Sequence, residues 1–286
     1  MYGKTLFHIS AGAVVPEQLV HYVTAVSGRK AVAAGEYAAY LHDGHAVLAA
    51  YPLDVPLHDG TSDPGAVPLA SALNALGPAC RTVTVLAPFV PVEAPENTPV
   101  NMDRYWQIPL PAAPPGQKLR NMLRRADREV TVAREAWGDE HAALVRRYLD
   151  SRPLPPGTRS VFGALAAYVE PGTEGVLLLA ARRRGSLAAF LIGDCTGLHT
   201  AFYMFAFRQP YAPPGTADLL LHGLVREAEE RGHSRVNLGL GIHDGIAFFK
   251  KKWGAVPFLP SIETSWSLVQ EKTPQRSLLR RLFGAR

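Results

Sequence analysis

The feature that most constrains the fold is the stretch Leu198–Phe258, which has the pattern of a strand, a loop, a helix, a second strand and a glycine loop before a basic aromatic end. Leu198–Phe207 is an apolar and aromatic run of strand length, and several prolines and Gly215 then interrupt regular structure. The leucines and alanines that follow recur at helical spacing, and Gly232 ends that helix. Val236–Leu240 predicts the second strand. This alternation predicts an α/β protein with a mixed sheet.

The turn into the predicted helix has the features of an anion site. Thr216 can cap the helix, and Asp218 lies in its first turn. Unpaired N–H groups and the helix dipole attract anions at such a turn, and Gly215 would let a phosphate approach the backbone closely. We therefore predict that Gly215, Thr216, Ala217 and Asp218 bind the phosphates of a ligand. Tyr211, in the same loop, is predicted to stack on its base or to donate to its leaving group.

This order of elements resembles the acyl-CoA-binding core of the GNAT acyltransferase superfamily, and the segment FFKKKWGA is similar to its Fem-type branch. In that branch a Phe-Lys pair and a following Gly come after the last helix, and Phe249, Lys250 and Gly254 match them. The loop APPGTAD departs from the glutamine- and glycine-rich phosphate loop of GNAT enzymes. The resemblance implies a donor held at Gly215–Asp218, which is acyl-CoA (acetyl-CoA) in GNAT enzymes and aminoacyl-tRNA in the Fem-type branch. It also implies that Lys250 contacts the donor phosphate or the developing oxyanion.

The N-terminal half shows the same α/β character without an obvious ligand loop. The predicted elements are a strand at Thr5–Ile9, a helix at Pro16–Val26, a hairpin turning at Asp43-Gly44, a helix at Val67–Leu76, and strands at Arg81–Ala87 and Arg104–Leu110. Tandem GNAT-like halves occur in the Fem-type branch, so the resemblance implies two halves here as well.

A proline-rich connection marks the predicted domain boundary. Residues 88–116 contain eight prolines, which indicates a crossing connection and places the boundary near Pro111–Gly116. We therefore predict a degenerate GNAT-like half in 1–112, an acyltransferase domain in 113–270 and a basic tail in 271–286.

A basic helix, Lys118–Arg128, opens the second half. One face is apolar. The remaining faces carry Arg120, Arg124, Arg125 and Arg128. These side chains are candidates to bind phosphates of tRNA or of a nucleotide-linked precursor. The alternative is a solvated face on which Asp127 and Glu129 are local partners.

The rest of this half predicts two helices and a strand meander. The helices are Asp139–Asp150 and Ser160–Val169, and the strands Gly175–Ala181 and Leu187–Ile192 join Leu198–Phe207 in an antiparallel arrangement.

Acyl transfer to an amine requires that the amine lose a proton, while direct attack in a ternary complex needs no covalent intermediate. The sequence shows no nucleophile motif, so we looked for acids and bases. Tyr203 is a candidate, and strand alternation predicts that it shares a face with Phe205 and Phe207. His243 and Asp244, between glycines, are candidates for the general base.

Asp194, at a strand end, is a candidate substrate-binding residue and could also serve as a base. Each candidate also has a structural interpretation. Tyr203 could be a core residue, His243-Asp244 and Asp194 could form turns, and Lys250 could belong to a solvated lysine run.

Composition and charge restrict the class of protein further. The net charge is +5, but residues 1–110 carry 5 Lys/Arg and 9 Asp/Glu whereas residues 111–286 carry 25 and 16. A basic C-terminal half attracts CoA, tRNA or an acidic substrate, although an arginine-rich composition from a GC-rich genome would look the same.

The sequence also bears on location and metal content. Cys80 and Cys195 have no ligand spacing, so we expect buried thiols and no metal. Neither a transmembrane segment nor a signal peptide is visible, which predicts a cytoplasmic protein. The basic amphipathic tail could contact a membrane peripherally, or it could be a solvated end.

Three functions remain open from the sequence. The first is an N-acyltransferase that moves an acyl group from acyl-CoA to a small-molecule or peptide amine. The second is a Fem-type transferase that uses aminoacyl-tRNA and acts on a cell-wall precursor or peptide. The third is a catalytically silent GNAT-like module that binds a nucleotide or RNA.

Overall fold

The structure is a computed structural model that describes residues 5–53 and 68–269. The helices are α1 (Leu6–Ala11), α2 (Val20–Ser27), α3 (Ala70–Ala75), α4 (Gln117–Glu129), α5 (Asp139–Asp150), α6 (Pro156–Gly163), α7 (Leu165–Val169), α8 (Thr216–Glu230) and α9 (Asp244–Lys252). The strands are β1 (Lys30–Ala34), β2 (Tyr37–His42), β3 (His45–Ala49), β4 (Thr82–Ala87), β5 (Val100–Pro109), β6 (Thr131–Arg134), β7 (Val176–Arg183), β8 (Ser186–Asp194), β9 (Thr200–Arg208), β10 (Arg235–Leu240) and β11 (Val256–Ser267). A 3-10 turn, Pro16–Gln18, precedes α2.

The strands form one mixed sheet. Within the described residues its order is β1-β2-β3-β4-β11-β5-β10-β9-β8-β7-β6. The pairs β3–β4 and β9–β10 are parallel, and the other neighbours are antiparallel. The predicted mixed α/β class is therefore confirmed.

The same order of elements occurs twice along the chain. In the first half the meander β1-β2-β3 leads through α3 to β4, which is parallel to β3. In the second half the meander β7-β8-β9 leads through α8 to β10, which is parallel to β9. The last strand of each half then joins the other half, since β5 pairs with β10 and β11 pairs with β4. The sheet is thus continuous across the predicted boundary near Pro111–Gly116, and the division into domains stays a prediction.

The two pairs of parallel strands differ in the length over which the strands are paired. The strands β3 and β4 pair over His45–Ala49 and Thr82–Leu86, which is nearly their whole length. The strands β9 and β10 pair only over Thr200–Phe202 and Arg235–Asn237 and then separate. A gap therefore opens in the second half where the first half is closed.

Helices cover both faces of the C-terminal part of the sheet. On one face α8 buries Leu220, Leu221 and Leu224, as its predicted apolar periodicity requires, and α4 packs behind it. On the other face α5, α6 and α7 pack with α2 around Phe190 and Phe207. These layers hold the separated strands in place.

Three predictions about local structure are wrong. Thr5–Ile9 is not a strand, because Thr5 caps α1 by accepting a hydrogen bond from the His8 amide. The segment FFKKKWGA, whose Phe249 and Lys250 match a pair expected after the last helix, belongs mostly to a further helix, α9. Tyr203 does not share a face with Phe205 and Phe207: Gly193 pairs with Tyr203 while Ile192 pairs with Phe205, so a bulge at Met204 breaks the alternation.

Other predictions hold or cannot be compared. The hairpin at Asp43-Gly44, helix α5 and strand β10 lie where the sequence predicts them. Both Cys80 and Cys195 are free and buried. Val67, at the start of the predicted helix Val67–Leu76, and the basic tail 271–286 lie outside the described residues.

Candidate functional site

A cavity of about 1040 Å³ occupies the gap between β9 and β10. Residues 203–208 of β9 and Leu238–Leu240 of β10 form its floor, and side chains of α5 and α9 form its walls. The 3-10 turn Pro16–Gln18 of the N-terminal half closes one side. Both halves of the chain therefore contribute to the same cavity.

Glu17, which no local sequence pattern singles out, brings a carboxyl group into this cavity. The hydroxyl of Tyr105 donates to Oε2 of Glu17 at 2.8 Å, and the hydroxyl of Tyr40 donates to the Glu17 carbonyl at 2.8 Å. The neighbouring Gln18 fixes the turn, since its side chain accepts from the amide of Val14 at 2.9 Å and donates to the carbonyl of Tyr51 at 3.0 Å. Glu17 is therefore held in a defined position.

The surroundings of Glu17 change its acidity. Burial raises the pKa of its carboxyl above the ordinary value, and the hydrogen bond from Tyr105 offsets this only in part. Burial also raises the pKa of Tyr22 and Tyr40, and the charge of Glu17 raises both further. A carboxyl group with a raised pKa in a cavity is a candidate general base.

Lys250, the predicted catalytic lysine, is buried and lines the cavity. Its Nζ donates to the carbonyl oxygens of Gly239 at 2.7 Å and Leu240 at 2.5 Å. Burial lowers the pKa of Lys250 to about 8, although the charge of Asp103 acts in the opposite direction. These contacts give Lys250 a positioning role at the end of β10, and its predicted contact with a donor stays a prediction.

Replacing Lys250 by methionine is expected to reduce the free energy of unfolding by about 2–3 kcal/mol, because two carbonyl groups at the end of β10 lose their donor. The stability of the wild type should also rise as the pH increases from about 8 towards the ordinary lysine pKa. In this range Lys250 keeps its proton in the unfolded chain but loses it in the folded protein, so raising the pH favours the folded state. Urea denaturation at several pH values measures both effects. Lys251→Met, an exposed neighbour, is the control, and an equal loss in both variants would contradict the role of Lys250.

Of the other predicted catalytic residues, two line the cavity and one does not. Tyr203 lines it with its ring centroid 6.5 Å from that of Phe249, and burial, with the charge of Asp218, raises the pKa of Tyr203. His243 also lines it, and its backbone carbonyl accepts from the first turn of α9. Asp244 is exposed and lines a separate groove instead. The structure thus brings Tyr203, His243 and Lys250 together.

The predicted phosphate loop is packed against neighbouring helices. Gly215 has a φ of +87°, and a Cβ at this position would lie 2.7 Å from Cγ of Met122 in α4. The hydroxyl of Thr216 donates to the carbonyl of Pro213 at 2.7 Å. The close approach of α4 is thus sufficient to require a glycine here.

Asp218 and its neighbours complete the start of α8. The carboxylate of Asp218 is buried and accepts from Nε1 of Trp253 at 2.9 Å and from Nζ of Lys252 at 2.5 Å. Ala217 faces the cavity, whereas Tyr211 is exposed and is not among the residues that line it. Binding of donor phosphates at Gly215–Asp218 stays a prediction.

The predicted arginine surface lies on the outer side of α4. Arg120 donates to the carbonyl of Pro115 and to Gln117, and Arg125 pairs with Glu129 at 3.5 Å. Arg124 is exposed on the same helix. None of the three lines the cavity, so a role in substrate binding would have to involve the protein surface.

Asp194, the predicted acceptor-side base, is fully buried away from the cavity lining. Its Oδ2 accepts from Nε2 of His21 at 2.7 Å and from the hydroxyl of Tyr168 at 2.6 Å, and its Oδ1 accepts from the amide and hydroxyl of Thr196. Because His21 belongs to α2, this cluster connects the N-terminal helices to β8.

One family model matches part of the chain. Residues 117–251 match the family model of the acetyltransferase (GNAT) domain. This range runs from α4 into α9 and contains β9 and β10, the two strands between which the cavity lies. The fold is GNAT-like, and the match supports a transferase.

Comparison with solved structures shows the same fold over most of the chain. The C-terminal domain of a protein described as a lysylphosphatidylglycerol synthetase, from Agrobacterium fabrum, is 14% identical over 90% of this chain and 89% of that chain, with a TM-score of 0.59. A conserved protein of unknown function from Bacteroides thetaiotaomicron is 10% identical over 91% and 95%, with a TM-score of 0.58. L-PGS from Bacillus licheniformis is 13% identical over 86% of each chain, with a TM-score of 0.54. No curated protein matches the sequence. The similarity to the Fem-type branch stays a prediction.

Among the described residues, none of the helices combines the length and the apolar character that crossing a membrane requires. Within the same residues, no group of three or more His, Cys, Asp or Glu side chains is placed to hold a metal ion.

Proposed function

We propose that this protein is an N-acyltransferase that joins an acyl group to an amine inside the cavity between β9 and β10. The observation that carries the proposal is the position of Glu17, a carboxyl group held by Tyr105 in the gap between these strands. The match of residues 117–251 to the acetyltransferase (GNAT) domain supports the same class of reaction.

The proposed reaction needs one base and one proton donor. The amine nitrogen transfers its proton to Glu17 and forms a bond to the acyl carbon, while the bond from that carbon to the sulfur or oxygen of the donor breaks. The leaving group takes up a proton, for which the hydroxyl of Tyr203 is the candidate. Because the amine attacks the donor directly, holding both substrates in one cavity supplies much of the rate.

We propose acyl-CoA as the donor and a small-molecule or peptide amine as the acceptor. A specific observation favours a second candidate, an aminoacyl-tRNA donor. Met122 fills the space beside Gly215, and the carboxylate of Asp218 lies at the same helix start, where the phosphates of CoA are predicted to bind. The exposed arginines of α4, in turn, offer a surface for an RNA backbone.

Donor binding followed by turnover tests the proposal. Ligands that bind only the folded state raise its melting temperature, so acetyl-CoA and aminoacylated tRNA are titrated in separate thermal-shift experiments. The protein is then incubated with acetyl-CoA and a panel of amines and peptides, and the release of free thiol is followed. Amine-dependent thiol release supports the acyl-CoA enzyme, and binding of aminoacyl-tRNA alone supports the second candidate. Binding of acetyl-CoA without any thiol release would instead support a silent binding module, and binding of neither donor would contradict the proposal.

A further inference from the structure

We propose that one end of the cavity, formed by Arg147, Arg152 and Arg208 and here called the arginine end, binds an oxyanion carried by the amine acceptor. Arg147 lies in the last turn of α5, Arg152 follows that helix, and Arg208 ends β9. All three line the same cavity as Glu17. The inference rests on the proposed function, because it names the chemical class of the acceptor.

The described part of the chain supplies no carboxylate that neutralises the arginine end. Within residues 5–53 and 68–269, none of the three guanidinium groups lies within 4.0 Å of a carboxylate, including that of Glu17. Two other arginines of this half are paired, since Arg182 lies 2.6 Å from Glu135 and Arg231 lies 2.6 Å from Glu227. Guanidinium groups stay charged at all physiological pH values, so this end of the cavity is positive.

Neutral neighbours orient two of the three side chains. Arg147 donates to the amide oxygen of Gln209, which is itself buried. Arg152 donates to the hydroxyl of Tyr148 at 3.1 Å, and its guanidinium lies 4.5 Å from the centre of that ring. These contacts fix the direction of the guanidinium groups and leave N–H groups for a ligand. Planar forks of this kind match the geometry of phosphate and carboxylate.

An aromatic wall adjoins the charged groups. The ring centroids of Tyr148, Phe162 and Phe207 lie 5.3–5.9 Å from one another, and all three residues line the cavity. A ligand whose anionic group reaches the arginines would therefore place an apolar or aromatic portion against these rings. The structure thus favours an acceptor that combines an oxyanion with an apolar body.

The arginine end suits the acceptor better than the donor. Transfer in a ternary complex requires both substrates in the cavity at once, and the donor phosphates are predicted at Gly215–Asp218 of α8. The arginines belong to α5, to the residues after it and to the end of β9, and none of them belongs to the predicted phosphate site at the start of α8.

Calorimetric titration of the full-length protein tests this inference without requiring turnover. The probes are phenyl phosphate and benzoate, with benzyl alcohol as the uncharged analogue, and they are titrated with and without saturating CoA. We expect saturable binding of at least one anionic probe, weaker binding of benzyl alcohol, and no displacement by CoA. Comparing the two anions shows whether the group is a phosphate or a carboxylate.

Three variants locate the binding site. Arg147→Gln and Arg208→Gln should each weaken the anionic probe about tenfold or more, because each removes a charged hydrogen-bond donor. Arg146→Gln is the matched control, since Arg146 is the adjacent exposed arginine of α5 and does not line the cavity. It should leave binding unchanged. Because Arg147 also contacts Gln209, a loss of binding in Arg147→Gln could reflect a displaced Gln209. Arg208→Gln tests the same site without removing that contact.

Several results would overturn the inference. One is the absence of saturable binding by either anion at millimolar concentration, and another is an equal loss of affinity in Arg146→Gln. Displacement of the probe by CoA would assign the arginines to the donor instead. Because probe binding is measured at equilibrium, its failure is distinct from a failure of donor binding or thiol release, which concerns the proposed function.

Discussion

Glu17→Gln is expected to lower kcat/KM for acyl transfer by about a hundredfold to ten-thousandfold while raising the melting temperature at neutral pH. The loss of activity follows because the amide cannot accept the proton of the amine. The gain in stability follows because the pKa of Glu17 is raised by burial in the folded state. The folded protein then pays a penalty for ionising Glu17 above its unfolded pKa, and glutamine removes that penalty while it can still accept from Tyr105.

The pH dependence provides a second measurement on Glu17. Transfer by the wild type should increase as the pH rises through the raised pKa of Glu17, and this limb of the profile should be missing in the residual activity of Glu17→Gln. Glu36→Gln, an exposed glutamate in the β1–β2 turn, is the matched control and should change neither activity nor stability. Full activity of Glu17→Gln, with an unchanged pH profile, would exclude Glu17 as the base.

Asp194→Ala is expected to reduce the free energy of unfolding by about 3–5 kcal/mol, which makes it the most destabilising of the substitutions considered. The buried groups of His21, Tyr168 and Thr196 would all lose an acceptor. Urea denaturation with two independent probes, one near each half of the sheet, would measure the loss and show whether the halves still unfold together. Asp194 is also predicted from the sequence to bind substrate, so this experiment separates a structural role from a binding role.

The contribution of Asp194 to the free energy of unfolding should decrease at acidic pH. Burial alone would raise the pKa of Asp194, but hydrogen bonds from His21, Thr196 and Tyr168 outweigh it and hold the pKa below its ordinary value. The stability that Asp194 contributes is therefore present above the ordinary aspartate pKa and is lost as the pH falls through the lowered value. Asp150→Ala, an exposed aspartate at the end of α5, is the control. A normal stability of Asp194→Ala with impaired acceptor binding would favour the role predicted from sequence.

Local sequence patterns were sufficient to predict the positions of helices and strands whose apolar periodicity is strong. Helix α8 and strand β10 lie where the spacing of apolar residues places them, because each buries a regular face. Strand β11 could not be predicted in this way, since Pro257 and Pro260 argue against a central strand. The structure accommodates Pro257 beside a shift of register between Pro257 and Leu259.

The candidate site was predictable only in part, for a related reason. Lys250 was predicted from the Phe-Lys match, Tyr203 from its strand and His243 from the glycine loop. All three line the cavity. Glu17 lies in an unremarkable turn of the other half, and its partner Tyr105 is 88 positions away along the chain. Contacts of that kind depend on how the two halves pack, which no local pattern of residues records.

The exchange of β5 and β11 between the halves has a consequence for the order of folding. During synthesis β4 emerges long before β11, the strand that finally covers its edge, and β5 must wait for both β10 and β11. A nascent chain that ends before residue 256 therefore exposes unpaired strand edges, which favour pairing with other chains. The N-terminal half thus depends for its completion on β11, which follows the whole second half along the chain, so we expect the two halves to mature as a single cooperative unit.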